Sequence, residues 1–206
     1  MGVFGGAFDP PHMAHVALVH AAIEELQLDE VRVLPTGQAW HKVRSLTPAV
    51  HRLAMARCAF EGLPQVVVDD REIQRAGPSY TVDTLEELAA EQPDAQLFLL
   101  IGDDQRRALP SWHRIGDIAR LAIICAAARD PDVVLWNTGQ APSDASCSPL
   151  ADVRPLHMPL IHISATDIRQ CLAHQRAVTG LVPAAVERYI HEHHLYGHEP
   201  RKPLDD

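Results

Sequence analysis

Lysine is almost absent from this chain, since only Lys42 and Lys202 occur among its 18 basic residues. Acidic residues number 27, which gives a formal net charge of −9. This charge argues against a nucleic-acid-binding protein, which normally carries a basic surface. A small anionic substrate remains compatible with it, because a few arginines and main-chain N–H groups act locally. Lys42 is the only lysine outside the terminal segment, so we expect a functional role for its compact point charge.

Cysteine spacing and the length of apolar runs exclude further classes of protein. The four cysteines form no CxxC pair and no metal-type spacing, which favours reduced thiols in a cytoplasmic protein. No apolar run reaches the ~18–20 residues that a bilayer requires, and no signal peptide is visible. We therefore expect no membrane partner. The 206 residues, 47% of them hydrophobic, predict one domain over residues 1–196 and a flexible tail over residues 197–206.

Short apolar runs alternate with helical stretches along the chain. Strands are predicted at Gly2–Phe4, Val31–Leu34, Val66–Val68, Leu97–Ile101, Leu121–Cys125 and Leu160–Ile163. Helices are predicted over Met13–Gln27, Pro48–Phe60, Val82–Glu91, Ile115–Arg120, Thr166–Gln175 and from Pro183 to about His194. The strand candidates are continuous apolar runs, which is typical of parallel strands covered on both faces. The order predicts an α/β fold, a doubly wound parallel sheet of about six strands with helices on both faces, and an irregular connection over residues 128–157.

Residues 5–15, which read Gly-Gly-Ala-Phe-Asp-Pro-Pro-His-Met-Ala-His, form the most informative segment. They join the first predicted strand to the first predicted helix through a glycine turn. Glycines let main-chain N–H groups approach an anion, and the helix dipole adds partial positive charge there. His12 and His15 project from one side of the solvent-facing helix start, which points to phosphate chemistry. On local grounds alone, a glycine turn with two surface histidines is the alternative.

Polar side chains also follow later strands of the predicted sheet. A carboxylate after a strand, as in Asp103 and Asp104, can accept hydrogen bonds from ribose hydroxyls. Trp112 can stack on an aromatic ligand ring, although a single tryptophan is more often part of the core. Ser164 is a helix-capping residue with Arg169 about one turn further on, which predicts a second anion site.

Residues 5–15 resemble the GGxFDPxHxGH stretch of the HxGH-type nucleotidyltransferases, most closely that of the bacterial nicotinate-nucleotide adenylyltransferases, with Ala14 in place of a glycine. Other segments are similar to the same family: residues 40–42 to a PPHK-like segment, residues 79–85 to SYTxDTL and residues 163–169 to ISSTxIR. The spacing of Gly102, Asp104 and Trp112 also resembles the family's pattern. The resemblance extends from about residue 2 to residue 196 and implies a Rossmann-like nucleotidyltransferase fold.

This resemblance implies transfer of the adenylyl group of ATP to nicotinate mononucleotide, with release of pyrophosphate, in NAD biosynthesis. The implied catalytic residues are His12, His15, Lys42 and Arg169. The implied ATP-binding residues are Gly5, Gly6, Phe8, His12, His15, Lys42, Gly102, Asp103, Ile163, Ser164, Thr166 and Arg169. The implied mononucleotide-binding residues are Ala7, Phe8, Lys42, Ser79, Tyr80, Thr81, Asp104, Trp112 and His113. ATP is then a co-substrate, Mg²⁺ is held mainly through its phosphates, and no protein metal site is expected.

Two alternatives stay open from the sequence. Another transferase of the superfamily would act on nicotinamide mononucleotide, phosphopantetheine or glycerol phosphate. A non-catalytic domain would bind a nucleotide without turning it over, although the presence of both histidines, Lys42 and Arg169 argues against this reading. The partners implied are small molecules, and a homo-oligomer stays open.

Overall fold

The computed structural model describes residues 1–37, 46–128, 153–159 and 161–197. Within these residues, six strands form one sheet: β1 (Gly2–Gly6), β2 (Val31–Pro35), β3 (Val66–Val68), β4 (Leu97–Ile101), β5 (Ala122–Ala128) and β6 (Arg154–His157). Their order across the sheet is β3-β2-β1-β4-β5-β6, and every neighbouring pair is parallel. The chain starts in the middle of the sheet and extends it in both directions, which confirms the predicted doubly wound α/β fold.

Helices cover both faces of this sheet. They are α1 (Met13–Leu26), α2 (Ala49–Phe60), α3 (Arg71–Gln74), α4 (Thr81–Glu91), α5 (Asp103–Ala108), α6 (Ile115–Leu121), α7 (Ala165–Ala173) and α8 (Ala184–Glu192), with a 3-10 turn at Leu109–Ser111. Phe4 packs with α1, α2, α7 and α8, whereas its neighbour Val3 packs with α4 and α6. This alternation arises because successive side chains of a strand point to opposite faces. None of the described helices is long and apolar enough to cross a membrane.

The sixth strand lies at a different place from the predicted one. Residues 161–163 are not a strand, Leu160 lies outside the described residues, and β6 occupies Arg154–His157, inside the segment predicted to be irregular. The run Arg-Pro-Leu-His contains one fully buried apolar residue, Leu156, so it carries no apolar pattern. As an edge strand, β6 tolerates a proline that a central strand would exclude. It pairs with β5 along its whole length, and Oε1 of Glu25 in α1 also accepts the main-chain N–H of His157 (2.6 Å).

The remaining predicted strands and helices are present, with small shifts of their ends. The short helices α3 and α5 and the 3-10 turn have no counterpart among the predictions, because three to six residues are too few for a helical period to emerge. The division into a domain over residues 1–196 and a tail stays a prediction. Most of that tail, residues 198–206, and residues 129–152 lie outside the described residues.

Candidate active site

A cavity of about 690 Å³ opens at the carboxyl ends of β1 and β4, where the order in which the chain adds strands to the sheet reverses. Parallel sheets of this type bind ligands at such a point. The cavity is lined by each predicted site residue that the structure describes: Gly5, Gly6, Ala7, Phe8, His12, His15, Ser79, Tyr80, Thr81, Gly102, Asp103, Asp104, Trp112, His113, Ile163, Ser164, Thr166 and Arg169. Lys42 lies outside the described residues. Segments that are far apart in sequence therefore surround one space of ligand size.

The glycine turn leaves open space at the end of β1. A Cβ atom added to Gly5 would meet no protein atom within 4 Å. Crowding within the protein therefore does not explain why this position lacks a side chain. Phe8 follows with a positive φ of 47° and turns its ring into the core, where 2% of the residue is exposed. The ring packs edge-on against Phe4 and His15, with centroid separations of 5.4 and 5.1 Å. A ligand contact by Phe8 would therefore come from its main chain, and the side chain supports the turn.

The two histidines stack on each other at the start of α1. Their ring centroids are 3.7 Å apart with an interplanar angle of 21°. The main-chain N–H of His12 donates to Nδ1 of His15 (3.1 Å), so a neutral His15 carries its proton on Nε2. That proton is suited to donate to a phosphate oxygen. The pair is thus pre-oriented by one hydrogen bond within the first helical turn.

The expectation that both histidines face solvent is wrong for His12, which is 8% exposed. Burial lowers the pKa of its imidazole to about 4, so the ring is neutral at pH 7 without a ligand. Its Nδ1 atom is buried and has no hydrogen-bond partner among the described residues. A bound anion would raise this pKa, because opposite charge favours the protonated form. The site can therefore supply positive charge where the negative charge of a phosphate arrives.

Arg169 connects the second predicted anion site to the histidine turn. Its Nη1 atom donates to the main-chain oxygen of Asp9 (2.7 Å), and its Nη2 atom donates to Oγ1 of Thr166 (3.0 Å). Ser164 caps α7, as predicted, by accepting the N–H of Asp167 (3.1 Å). The start of α7 and the start of α1 consequently border the same part of the cavity.

The other end of the cavity is built from more exposed residues. Trp112 is half-buried: it packs against the apolar cluster on the α4 face of the sheet and also lines the cavity, so it belongs partly to the core, and stacking on a ligand stays a prediction. The rings of Tyr80 and His113 lie 4.5 Å apart beside it. Asp104 is exposed, whereas the carboxylate of Asp103 is already bound by Arg106 (3.1 Å) and Arg107 (2.7 Å). A ribose hydroxyl at Asp103 would share the carboxylate with two guanidinium groups.

Sequence reasoning missed the buried residue Glu72, which also lines this end of the cavity. Its Oε1 atom accepts the hydroxyl of Thr84 (3.0 Å), and burial raises its pKa to about 7. Glu72 lies in a charged run that reads as a solvated loop. One signal was present: Gly37 comes shortly after β2, and a Cβ atom there would lie 2.0 Å from the main-chain oxygen of Glu72. A lone glycine after a strand indicates such a close main-chain approach.

Comparison with known proteins agrees with the geometry. The family model for cytidylyltransferase-like proteins matches residues 3–171. A protein of Albidiferax ferrireducens, named probable nicotinate-nucleotide adenylyltransferase, is 56% identical over 95% of this chain and 97% of its own length. A protein of the same name from Methylibium petroleiphilum is 41% identical over 95% of this chain and 92% of its own length.

Among solved structures, the nicotinic acid mononucleotide adenylyltransferase of Plasmodium falciparum, complexed with NaAD, has a TM-score of 0.73. It is 18% identical and the match covers 95% of this chain and 96% of that one, which supports the fold. The family model spans most of the chain, and the relatives match over nearly their whole length. The chain therefore belongs to the cytidylyltransferase-like family of nucleotidyltransferases, among the relatives named nicotinate-nucleotide adenylyltransferases.

Proposed function

We propose that this chain transfers the adenylyl group of ATP to nicotinate mononucleotide and thereby forms nicotinate adenine dinucleotide and pyrophosphate. The observation that carries the proposal is that one and the same cavity is lined by the stacked His12–His15 pair, by Arg169 and by an aromatic end around Trp112. Relatives matched over almost the whole chain carry the name of this activity, which supports the same conclusion.

In the proposed reaction, a phosphate oxygen of the mononucleotide attacks the α-phosphorus of ATP in line. The bond from that phosphorus to the bridging oxygen of the β-phosphate breaks, and pyrophosphate leaves with the electron pair. The attacking phosphate is already ionised, so the step needs no general base. Catalysis then consists of positioning and of stabilising charge that develops on the transferring group.

The residues that would stabilise this charge are His12, His15 and Arg169. The Nε2 proton of a neutral His15 can donate to a non-bridging oxygen of the α-phosphate. His12 gains a proton more readily once the anion is bound, because the anion offsets the effect of burial on its pKa. We propose that Arg169 and, by family resemblance, Lys42 hold the β- and γ-phosphates that leave.

Mg²⁺ fits this proposal as a companion of ATP. The described residues contain no group of three or more His, Cys, Asp or Glu side chains that could hold a metal ion. The ion would take its ligands mainly from the triphosphate oxygens and water, and it would neutralise charge on the leaving pyrophosphate.

We also propose a preference for the acid over the amide mononucleotide. Helix α4 begins at Thr81 beside the cavity, and its cap residue Tyr80 supplies no side-chain cap hydrogen bond. The first N–H groups of a helix have no partner within the helix, and the helix dipole favours negative charge there. A nicotinate carboxylate can accept from such donors, near Thr81 and His113, whereas an amide would turn its NH₂ group towards another donor.

The test is formation of dinucleotide and pyrophosphate from ATP with a panel of acceptors. Nicotinate mononucleotide should give both products in equal amounts, with kcat/KM at least about tenfold above that for nicotinamide mononucleotide, which corresponds to ~1.4 kcal/mol. Nicotinate riboside, which lacks the attacking phosphate, serves as the matched control and should release no pyrophosphate. Faster turnover of phosphopantetheine or glycerol phosphate, or no product from nicotinate mononucleotide, would overturn the proposal.

A further inference from the structure

A buried arginine lies directly beneath the glycine turn. Arg52 of α2 is 2% exposed, and its guanidinium donates three hydrogen bonds to main-chain oxygens: to Ala7 (3.0 Å), to Gly37 (3.3 Å) and to Thr47 (2.9 Å). Ala7 belongs to the glycine turn, Gly37 follows β2 and Thr47 precedes α2. The planar fork of an arginine places its donors on three separate nitrogen atoms, whereas a lysine would have to make all of its bonds from one nitrogen. One side chain thus holds together three loops at the edge of the cavity.

A buried carboxylate, Asp9, acts on this arginine through its charge and is also 2% exposed. Its Oδ2 atom accepts the main-chain N–H of Thr47 (3.4 Å), and its Oδ1 atom accepts the hydroxyl of Tyr196 (2.7 Å). Burial lowers the pKa of the Arg52 guanidinium, and the negative charge of Asp9 opposes this effect. A buried charge is tolerated when opposite charge lies near it and its hydrogen bonds are satisfied. Asp9 therefore supplies negative charge near Arg52 and also accepts hydrogen bonds from Thr47 and Tyr196.

Tyr196 comes from the far end of the chain, 187 residues from Asp9 in sequence. It follows α8 with a positive φ of 61°, and its hydroxyl also lies 3.9 Å from Sδ of Met55 in α2. Burial raises the pKa of the Tyr196 phenol, so the neutral hydroxyl is the donor and the Asp9 carboxylate is the acceptor. The end of the chain is consequently bonded to the turn that carries the histidines.

Asp9 transmits this support to the predicted transfer groups on two sides. Its main-chain oxygen accepts Nη1 of Arg169 (2.7 Å), and it precedes His12 by three residues within the same turn. A shift of Asp9 would therefore move the Arg169 guanidinium and the start of α1 together. Neither Arg52 nor Tyr196 lines the cavity in the part of the chain that the structure describes, so Arg52 would act through Ala7 of the glycine turn and Tyr196 through Asp9.

We propose that Arg52, Asp9 and Tyr196 form a polar support that positions His12, His15 and Arg169 for transfer. Arg52 and Tyr196 are then positioning residues, and the hydroxyl of Tyr196 is the part of the support that can be removed with least disturbance. This inference rests on the proposed adenylyl transfer. A purely structural role would instead change the stability of the protein without changing the rate at saturating substrate.

The test compares Tyr196→Phe with Tyr189→Phe in the full-length chain. Tyr189 is a matched control because it is also half-buried, lies in the same C-terminal region and uses its hydroxyl for one hydrogen bond, to Nδ1 of His51 (3.0 Å), away from the cavity. Tyr196→Phe should lower kcat by about 10- to 100-fold, the range in which small misplacements act. The KM values should stay within about twofold of wild type, and Tyr189→Phe should leave kcat within about twofold as well.

A second pair uses the arginine. Arg52→Lys keeps the charge but not the three divergent bonds, and it should lower kcat at least as much as Tyr196→Phe. Arg57→Lys, at an exposed position of the same helix, should have no effect on kcat. An unchanged kcat in Tyr196→Phe would overturn the proposal, as would an equal loss in Tyr189→Phe.

A readout without turnover separates this inference from the proposed function. The ring resonances of His12 and His15, measured by NMR during titration with inorganic pyrophosphate, should differ from wild type in Tyr196→Phe and match it in Tyr189→Phe. If the wild-type chain forms no dinucleotide, the proposed function fails, and these resonances still decide the positioning. Identical histidine resonances in wild type and Tyr196→Phe would overturn the polar support.

Discussion

The two ends of the cavity are built in opposite ways. The transfer end, which we define as the glycine turn, His12, His15 and Arg169, rests on buried groups such as the Phe8 ring and Arg52. The recognition end, which we define as Tyr80, Thr81, Asp104, Trp112 and His113, is formed by half-buried and exposed residues, with the buried Glu72, Ser79 and Thr84 behind them. Charge stabilisation needs fixed groups, because misplaced dipoles lose their effect, whereas substrate choice can reside on adaptable surfaces. The difference predicts that changes at the first end act on the rate and changes at the second act on binding.

The largest expected effect comes from removing a histidine of the transfer end. His15→Ala and His12→Ala should each lower kcat by at least about 100-fold, because a donor to the transition-state charge is lost. His20→Ala, at an exposed position of the same helix, is the control and should keep the wild-type rate. Steady-state kinetics with both substrates at saturation measures this, and near-wild-type turnover in His15→Ala would remove that residue from the transfer step.

A smaller effect is expected at the recognition end. Trp112→Ala should raise KM for the mononucleotide, because it removes stacking that contributes roughly 1–3 kcal/mol per base in nucleic-acid binders. KM for ATP should stay almost unchanged. Trp112→Phe, which keeps an aromatic face, should recover most of the affinity.

Because Trp112 also packs against the core, thermal unfolding of both variants has to be compared with wild type. Equal increases in both KM values, or loss of folded protein in Trp112→Ala alone, would show that this residue acts mainly in the core.

A substitution at Gly5 measures whether a ligand needs the open space at this position, because it disturbs no contact within the protein. A methyl group at this position meets no protein atom within 4 Å, so Gly5→Ala should leave the free energy of unfolding unchanged. It should raise KM for ATP by about tenfold, or ~1.4 kcal/mol, if ATP occupies the open space. Gly62→Ala is the control, because that position is equally open and lies after α2. Destabilisation by Gly5→Ala with unchanged KM would contradict the assignment.

The smallest expected effect concerns stability against pH. The pKa of His12 is lowered from 6.5 to about 4 in the folded chain, so the unfolded state binds the extra proton first as the pH falls. The free energy of unfolding should therefore decrease through His12 by about 1 kcal/mol between pH 6.5 and 5.5. Glu72 has the opposite sign, because its pKa is raised from 4.5 to about 7 and the folded state takes up the proton.

Urea unfolding of wild type, His12→Gln and Glu72→Gln between pH 5.5 and 6.5 separates the two contributions. His12→Gln should lose less stability than wild type on acidification, and Glu72→Gln should lose more. Parallel curves for all three proteins would contradict the burial of both groups.

The parts of the fold that the sequence predicts are those with a continuous apolar run. Both ends of the strand Leu97–Ile101 are predicted correctly because all of its side chains are apolar. The strand β6 is not predicted, because Leu156 is its only fully buried residue. Burial is equally hard to predict for single side chains. His12 follows two prolines and reads as a surface residue, yet the stack with His15 and the packing of the turn bury it.

The residues of the candidate site also differ in how well the sequence predicts them. The role of residues 5–15 can be predicted from the segment itself, because the glycines, the histidines and the helix start lie within it. Arg52, Glu72 and Tyr196 carry no signal in their own neighbouring residues, because their hydrogen-bond partners are brought near only by the folded chain. Arg52 donates to the oxygen of Ala7, Tyr196 donates to the carboxylate of Asp9, and Glu72 accepts from the hydroxyl of Thr84. Sequence patterns thus indicate which groups touch the ligand more readily than which groups hold them in place.

The most direct test of the difference between the two ends is the single-turnover rate of dinucleotide formation, measured with enzyme in excess over ATP and with saturating nicotinate mononucleotide. At saturation, binding losses disappear and only the transfer step remains. We expect the single-turnover rate of Trp112→Ala to lie within about threefold of the wild-type rate, whereas the rate of His15→Ala should be at least about 100-fold lower. A Trp112→Ala rate as low as that of His15→Ala, or a wild-type rate in His15→Ala, would contradict the division of the cavity into a transfer end and a recognition end.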